Sequence, residues 1–168
     1  LDEAGLWTDI WRDAEPYAEI KPELFHNQFG DDFQAIQWRS FIVTNPRGIA
    51  VATISAWYNR TFKGQDYGQI HWVAVRKAYW GRGLGKVMLT HALNHMAKWH
   101  DRAFLGTQTE RIPAIKIYLD FGFVPDLDPP GAVQAWRKIK DRLDHPVLEA
   151  MDLQRQAEHP QNQGGTGD

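Results

Sequence analysis

The chain contains no cysteine. That excludes a disulfide framework and thiolate metal sites, and it removes Cys as a nucleophile; it does not fix the compartment. No run of 18 apolar residues occurs, so no membrane span is expected. The N-terminal stretch LDEAGLWTDIW is acidic and mixed, unlike a signal peptide. It has no initiator Met, as expected of a processed or trimmed form. Basic excess is also missing: 19 Lys and Arg stand against 21 Asp and Glu, a formal charge of −2 with a pI near 6.4. A general nucleic-acid binder would usually be basic. There is no internal repeat. What is present suits one domain with a real core: 168 residues, 43% of them hydrophobic. Trp occurs eight times, and rings of that size either line pockets or, for most of them, fill the core.

Local patterns give an order of elements. Residues 5–14, GLWTDIWRDA, place Leu6 with Ile10 and Trp7 with Trp11 at i,i+4 spacing, a short amphipathic helix. Beyond Pro16 and Pro22, PELFHNQFGDDFQAIQW suggests one or two helices interrupted near Gly30. SFIVTNPRGIAVATISAWYN reads as a hairpin, with strands at 40–44 and 49–58 around the turn Asn45-Pro46-Arg47-Gly48. RTFKGQDYG is expected to be a polar loop, and residues 69–76 the next strand. A helix from Leu84 to about Trp99 follows, with Leu84, Met88, Ala92, Leu93 and Met96 as its buried stripe. RAFLGTQ is a short strand near 103–108. IPAIKIYLDFG is a helix with Pro113 in its first turn and Gly122 as its stop. FVPDL is read as one more strand, and VQAWRKIKDRLD as a further helix with Trp136, Ile139 and Leu143 along one side. Residues 158–168, EHPQNQGGTGD, have almost nothing to bury and are expected to form a disordered tail behind a single domain of residues 1–157. The order defines a mixed α/β (α+β) fold. The strands on either side of the 84–99 helix should be parallel and joined by a right-handed crossover.

The most informative stretch is IHWVAVRKAYWGRGLGKVMLTHAL, residues 70–93. A strand delivers three glycines, Gly81, Gly83 and Gly85, straight into a helix. Unpaired N–H groups and a partial positive charge lie at a helix N-terminus. Glycine lets the chain turn tightly and lets a ligand reach the backbone. The combination suits an anion, phosphate above all. A Walker loop is excluded, because Lys86 is followed by Val87 and Trp80 stands where its first glycine belongs. A dinucleotide fingerprint is excluded too, because GRGLG has GxGxG rather than GxGxxG.

With its lead-in, VAVRKAYWGRGLGK resembles the signature of the GNAT superfamily of acyl-CoA-dependent N-acetyltransferases: an aliphatic strand end, a short link, then [Q/R]-x-x-G-x-[G/A] opening a helix. Trp80 occupies the place where Gln or Arg is common. Downstream, PAIKIYLDFGFVP resembles the family's Ala-x-x-x-Tyr-x-x-x-Gly-Phe segment through Ala114, Tyr118, Gly122 and Phe123. The polar residues ahead of it are Thr109 and Arg111, where the family usually carries Asn. The resemblance spans roughly residues 40–125. It implies a central mixed sheet with splayed strands and acetyl-CoA as cosubstrate without a metal; the C-terminal segment DLDPPGAVQAWRKIKDRLDHP departs from it, reading as helical where the family usually has a last long strand. It also implies a small-molecule or peptide amine as acceptor, a cytoplasmic setting, and neither a nucleic-acid nor a membrane partner; a homodimer is left open.

Roles follow from the same resemblance. The backbone of Val73, Ala74 and Val75 would pair with the pantetheine amides. The N–H groups of Gly81, Arg82, Gly83, Leu84, Gly85 and Lys86 would hold the pyrophosphate, with little from the exposed cations themselves. Tyr118 would donate to the departing thiolate, since a thiol titrates near ~8.5 and a tyrosine near ~10. The family position for a Glu base falls on Gln69, which cannot serve. His71, two residues on along the same strand, has a suitable pKa near ~6.5. A packed-strand histidine, and a water chain through Gln69, are the competing readings.

Outside the two motifs, Trp57, Tyr58, Tyr67 and Trp72 could grip a cationic amine by cation–π contact or simply pack the core. His91 and His95, at i,i+4, lack a third ligand and read as solvated surface, as do Asp31 and Asp32. No Ser-His pair stands out, so direct attack by the amine is expected rather than a covalent enzyme intermediate. Two rival functions remain: a non-catalytic acyl-CoA sensor on the same fold, and an unrelated nucleotide-binding α/β domain.

Overall fold

The computed structural model describes residues 3–15, 19–30 and 32–151, so Asp31 and the expected 158–168 tail lie outside the described residues. By packing, the chain divides into two compact units, residues 1–106 and 107–168.

The first unit begins with three helices, α1 (Glu3–Ala14), α2 (Leu24–Phe29) and α3 (Phe33–Arg39). The break between α2 and α3 falls at Gly30 (φ 64°), and Asp32 then caps α3 by accepting from the Ala35 N–H at 2.9 Å. A four-stranded sheet follows in the order β1-β2-β3-β4: β1 (Ser40–Thr44), β2 (Ala50–Phe62), β3 (Gln65–Val75) and β4 (Ala103–Phe104). The first three are antiparallel, and β4 runs parallel to β3. Helix α4 (Leu84–Met96) carries the chain between that parallel pair.

The first hairpin turns where its sequence indicates. Asn45 Oδ1 accepts from the N–H groups of Arg47 and Ile49, and Gly48 takes a φ of 76°. The second hairpin corrects the loop reading of RTFKGQDYG. β2 runs on to Phe62 and β3 starts at Gln65, so only Lys63 and Gly64 turn. Both have positive φ, 48° and 74°, the pattern of a two-residue turn whose twist matches its strands. Aromatic burial holds these outer residues in the sheet: Phe62 stacks on Phe104 with ring centroids 3.7 Å apart, and Tyr67 meets Phe62 edge-on at 5.2 Å.

On one face of the sheet, α1 and α2 bury Trp7, Ile10, Trp11, Phe25 and Phe29 against Ala50 and Ala74. Trp57 packs on the same cluster and pairs with Gln69 across the strands. Gly68 therefore faces the other side, where α4 lays the Met96 side chain directly over it. Met88, Leu89, Ala92 and Met96 are the buried positions of α4, with Leu84 and Leu93 only half-buried.

The second unit holds α5 (Ile112–Asp120) and α6 (Ala132–Lys140), with Ile115, Leu119, Ile139, Leu143 and Leu148 as its core and Trp136 packed beside them. α5 ends in a Schellman motif: the Gly122 N–H donates to Leu119 O, the Phe123 N–H to Tyr118 O, and Gly122 adopts φ 89°. FVPDL is not a strand. The Phe123 N–H is spent on that motif, Pro125 has none to give, and the Asp126 carboxylate takes the Asp128 N–H into a turn. The strand near 103–108 is likewise reduced to the two residues of β4. Among the described residues no helix is long and apolar enough to cross a membrane.

Candidate functional site

The C-terminal half of β3 is set apart from its neighbour. β4 pairs only with Gly68 and Gln69, so from Ile70 onward β3 has no partner in β4. On its other edge β3 carries a bulge. Ser55 pairs with His71 and Thr53 with Ala74, so Trp72 and Val73 together oppose Ile54. Trp72 adopts φ 51°, a left-handed conformation costing roughly 1–2 kcal/mol for a residue with a side chain. Packing over-determines it. Its ring meets Trp7 and Trp11 edge-on at 5.1 and 4.9 Å, and its Nε1–H donates to Gln28 Oε1 at 3.3 Å. The bulge also breaks strict alternation: His71 and Ala74, three residues apart, occupy equivalent register positions.

The strand passes into a 3-10 turn at Lys77–Tyr79 and then into the glycine turn. Gly81 and Gly83 have φ of 71° and 78°, with open space where a Cβ would stand, and Gly83 is the N-cap of α4. The first intrahelical donors are Lys86 and Val87, both to Gly83 O. The N–H groups of Gly81, Arg82, Gly83, Leu84 and Gly85 make no backbone hydrogen bond among the described residues, as the opening of a helix requires. These are consecutive unused donors at the positive end of a 13-residue helix.

Several contacts fix the turn from outside. Asp13 on α1 accepts from the Lys77 N–H at 2.7 Å, and Arg76 Nε donates to Ala50 O at 2.9 Å. Asn45 Nδ2 donates to the Tyr79 hydroxyl at 2.8 Å, and the Arg82 guanidinium lies over the Tyr79 ring, 4.9 Å from its centroid. The Trp80 indole N–H donates to Val75 O at 2.6 Å.

His71 lies on this strand, between Phe29 (5.9 Å) and Trp72 (5.5 Å). Burial alone lowers its pKa from the usual 6.5 to about 4, and its Nδ1 is buried without a hydrogen-bond partner. It is therefore a neutral imidazole at pH 7. Tyr118, on α5 of the second unit, is also shifted by burial, here upward to about 12, with Arg111 acting weakly in the opposite sense. Its ring meets Phe123 edge-on at 6.3 Å, and Ala114 stands one turn before it. At any working pH it is a protonated phenol, a donor and not a base.

The aromatic residues outside the motifs divide. Trp57 and Trp72 pack against the core cluster. Tyr58 engages the chain's own cations, with Arg39 and Arg60 at 4.8 and 5.3 Å from its ring centroid. Arg39 is also held over Trp99 and within 3.3 Å of His100 Nε2, while His100 Nδ1 lies 3.6 Å from Asp66. This network joins the end of α3 to the start of β3. His95 corrects the reading of solvated surface: it is half-buried between Phe41 (5.1 Å) and Trp99 (4.8 Å), whereas His91 is exposed. Neither the bulge nor the Trp80 bond had a sequence signal, because no glycine marks the first and nothing in the pattern directs an indole toward a carbonyl.

A glycine turn of this form, fed by a strand that parts from its neighbour, has the chemistry of an anion site at a helix N-terminus. The family model described as the acetyltransferase (GNAT) family matches residues 5–123, and the chain belongs to that family, whose members are acyl-CoA-dependent. Solved structures share the fold. PH1933 from Pyrococcus horikoshii OT3 is 20% identical, with a TM-score of 0.60 over 77% of this chain and 87% of that one. The ribosomal-protein-S18-alanine N-acetyltransferase of Escherichia coli is 18% identical, with a TM-score of 0.56 over 75% and 80%. Glucosamine-6-phosphate N-acetyltransferase from Arabidopsis thaliana is 16% identical, with a TM-score of 0.53 over 73% and 84%. Against another, longer P. horikoshii chain (19% identity, TM-score 0.59), 74% of this chain matches but only 41% of that one. No curated protein matches the sequence at a significant level.

Proposed function

We propose that the protein transfers an acetyl group from acetyl-CoA to a primary amine, of a small molecule or a peptide, by direct attack of the amine nitrogen on the thioester. The observation that carries this is the junction of β3 and α4: a strand end unpaired with β4, leading into two left-handed glycines whose N–H groups are unused. The backbone of Val73, Ala74 and Val75 would bind the pantetheine amides. The N–H groups from Gly81 to Gly85 would hold the pyrophosphate; the Lys86 N–H, expected to join them, is instead given to Gly83 O.

In the reaction the amine lone pair forms the C–N bond and the C–S bond breaks. The departing sulfur carries the electron pair away as a thiolate. The Tyr118 phenol donates a hydrogen bond to it. With the phenol near 12 and a thiol near ~8.5, full proton transfer would be uphill by about 5 kcal/mol, so stabilisation of the thiolate is the role its chemistry supports. The proton released by the amine leaves through water and Gln69, with the neutral His71 as an acceptor along the way. A conjugate acid near pKa 4 relays a proton and does not store it. We read the setting as cytoplasmic, where acetyl-CoA is a common acyl donor.

The test is calorimetric titration with acetyl-CoA, CoA, ATP and NAD, followed by a panel of amines monitored by thiol release. Micromolar binding of acetyl-CoA and CoA with little for ATP or NAD, and amine-dependent thiol release, are expected. Absence of acetyl-CoA binding refutes the cofactor reading. Binding without turnover on any amine refutes catalysis and leaves a sensor module.

A further inference from the structure

We propose that the Trp80 indole is a stacking platform for the adenine ring of the acyl-CoA cosubstrate; this rests on the acyl-CoA reading above. Trp80 is 54% exposed, as Trp38 and Trp99 also are in large part, so exposure alone does not single it out; its place in the chain does. It stands immediately before Gly81, at the edge of the proposed pyrophosphate cradle. Among the described residues its ring packs on no other aromatic ring and carries no cation, although most of the other tryptophans do one or the other. A π face is therefore left open.

The ring is nevertheless fixed. Its Nε1–H donates to Val75 O at 2.6 Å, and its backbone N–H donates to Lys77 O at 3.1 Å. The first bond ties the ring to the last residue of β3 and the second ties the backbone to the 3-10 turn, so the indole has little rotamer freedom left to lose when a ligand lands on it. The family motif commonly has Gln or Arg here, which offers hydrogen bonds or charge; this chain offers a pinned aromatic surface in their place. Adenosine follows the pyrophosphate of coenzyme A after a single ribose, so the base must come to rest near the glycine turn. Any base presents a π face, and stacking on an aromatic side chain contributes substantially to its binding.

The hydrogen bond and the open face can be separated. Trp80→Phe keeps an aromatic face and loses the bond to Val75; Trp80→Ala loses both. Wild type and both variants are titrated with CoA and with 4′-phosphopantetheine, which lacks the whole 3′-phosphoadenylyl half, so it is the ratio of variant to wild type for each ligand that is read. Trp80→Ala is expected to weaken CoA by roughly tenfold and phosphopantetheine by less than about twofold, with Trp80→Phe close to wild type for CoA. Equal weakening of both ligands, or of neither, overturns the stacking and leaves the acyl-CoA reading standing. Equal loss of CoA in Phe and Ala assigns the residue to the Val75 bond alone and also overturns it. Failure of wild type to bind CoA overturns the reading beneath both. The side chain is exposed, so thermal melts of the variants should match wild type closely.

Discussion

His71 provides the sharpest test of how this site is built. Its imidazole is desolvated between Phe29 and Trp72, and burial is the cause of a native pKa near 4 against 6.5 when unfolded. Between those two values the unfolded chain binds the proton and the native protein does not. Stability therefore rises with pH across the window and falls as the pH drops from 6.5 to 4, by ~1.4 kcal/mol per unit at full effect and about 3 kcal/mol in total. His95 and His100 are lowered in the same direction, also chiefly by burial, and add to the slope. Carboxylates titrate in the same range. The comparison must therefore be wild type against His71→Gln, by urea denaturation at closely spaced pH values, with the imidazole followed by NMR. The two stability curves should diverge in slope between pH 6.5 and 4 and run parallel above pH 7. A native imidazole pKa at or above 6.5, or parallel curves throughout, would refute the argument that burial holds His71 neutral.

Three further outcomes are expected. Tyr118→Phe should lower kcat by roughly 10- to 100-fold, the worth of one hydrogen bond to a charged group, while leaving acetyl-CoA affinity within about twofold; steady-state kinetics beside calorimetry separates the two. Gly83→Ala meets no atom within 4 Å, so its cost is that of a side chain at φ 78°, roughly 1–2 kcal/mol of stability, with weaker CoA binding; chemical denaturation and titration check both, and an unchanged midpoint would contradict the left-handed turn. Gly68→Ala drives its new methyl into the Met96 side chain and should cost ~1–3 kcal/mol, partly restored by Met96→Ala in the double variant; additive costs would show that the two do not touch.

Much of the fold was legible because local chemistry and tertiary structure agree. The turn at Asn45 to Gly48, the glycine turn into α4 and the Gly122 stop of α5 each rest on one residue type at one special backbone position. The failures came where partners far along the chain decide. Lys63-Gly64 is a weaker turn signal than Asn-Gly, and the strand residues around it are polar on the sequence; Phe104, some forty positions away, is what holds Phe62 in the sheet. The bulge at Trp72 sits in a run of β-formers with no glycine, and its strain is offset by Trp7 and Trp11 from the first helix. For the site, the backbone donors were readable from glycine spacing. The pKa of His71 was not, because it is set by burial against Phe29, from a helix some forty residues earlier, and against Trp72 in its bulge.

These observations give α1 a larger part than covering the sheet. Its Trp7 and Trp11 hold Trp72 in a conformation that β3 alone would not adopt, which turns the strand where it parts from β4. On the same helix, Asp13 accepts from the Lys77 N–H, and the Asp9 carbonyl accepts from Arg76 at 3.4 Å, so the entrance to the glycine turn is anchored as well. The glycines provide freedom, and freedom alone would leave the donors of Gly81 to Gly85 pointing in many directions. A preorganised anion site needs that freedom removed at both ends. Asp13 and Arg76 fix the strand side, and the first turn of α4 fixes the other. The motif that names the family thus depends, in this chain, on a helix some seventy residues earlier that carries none of the motif's residues.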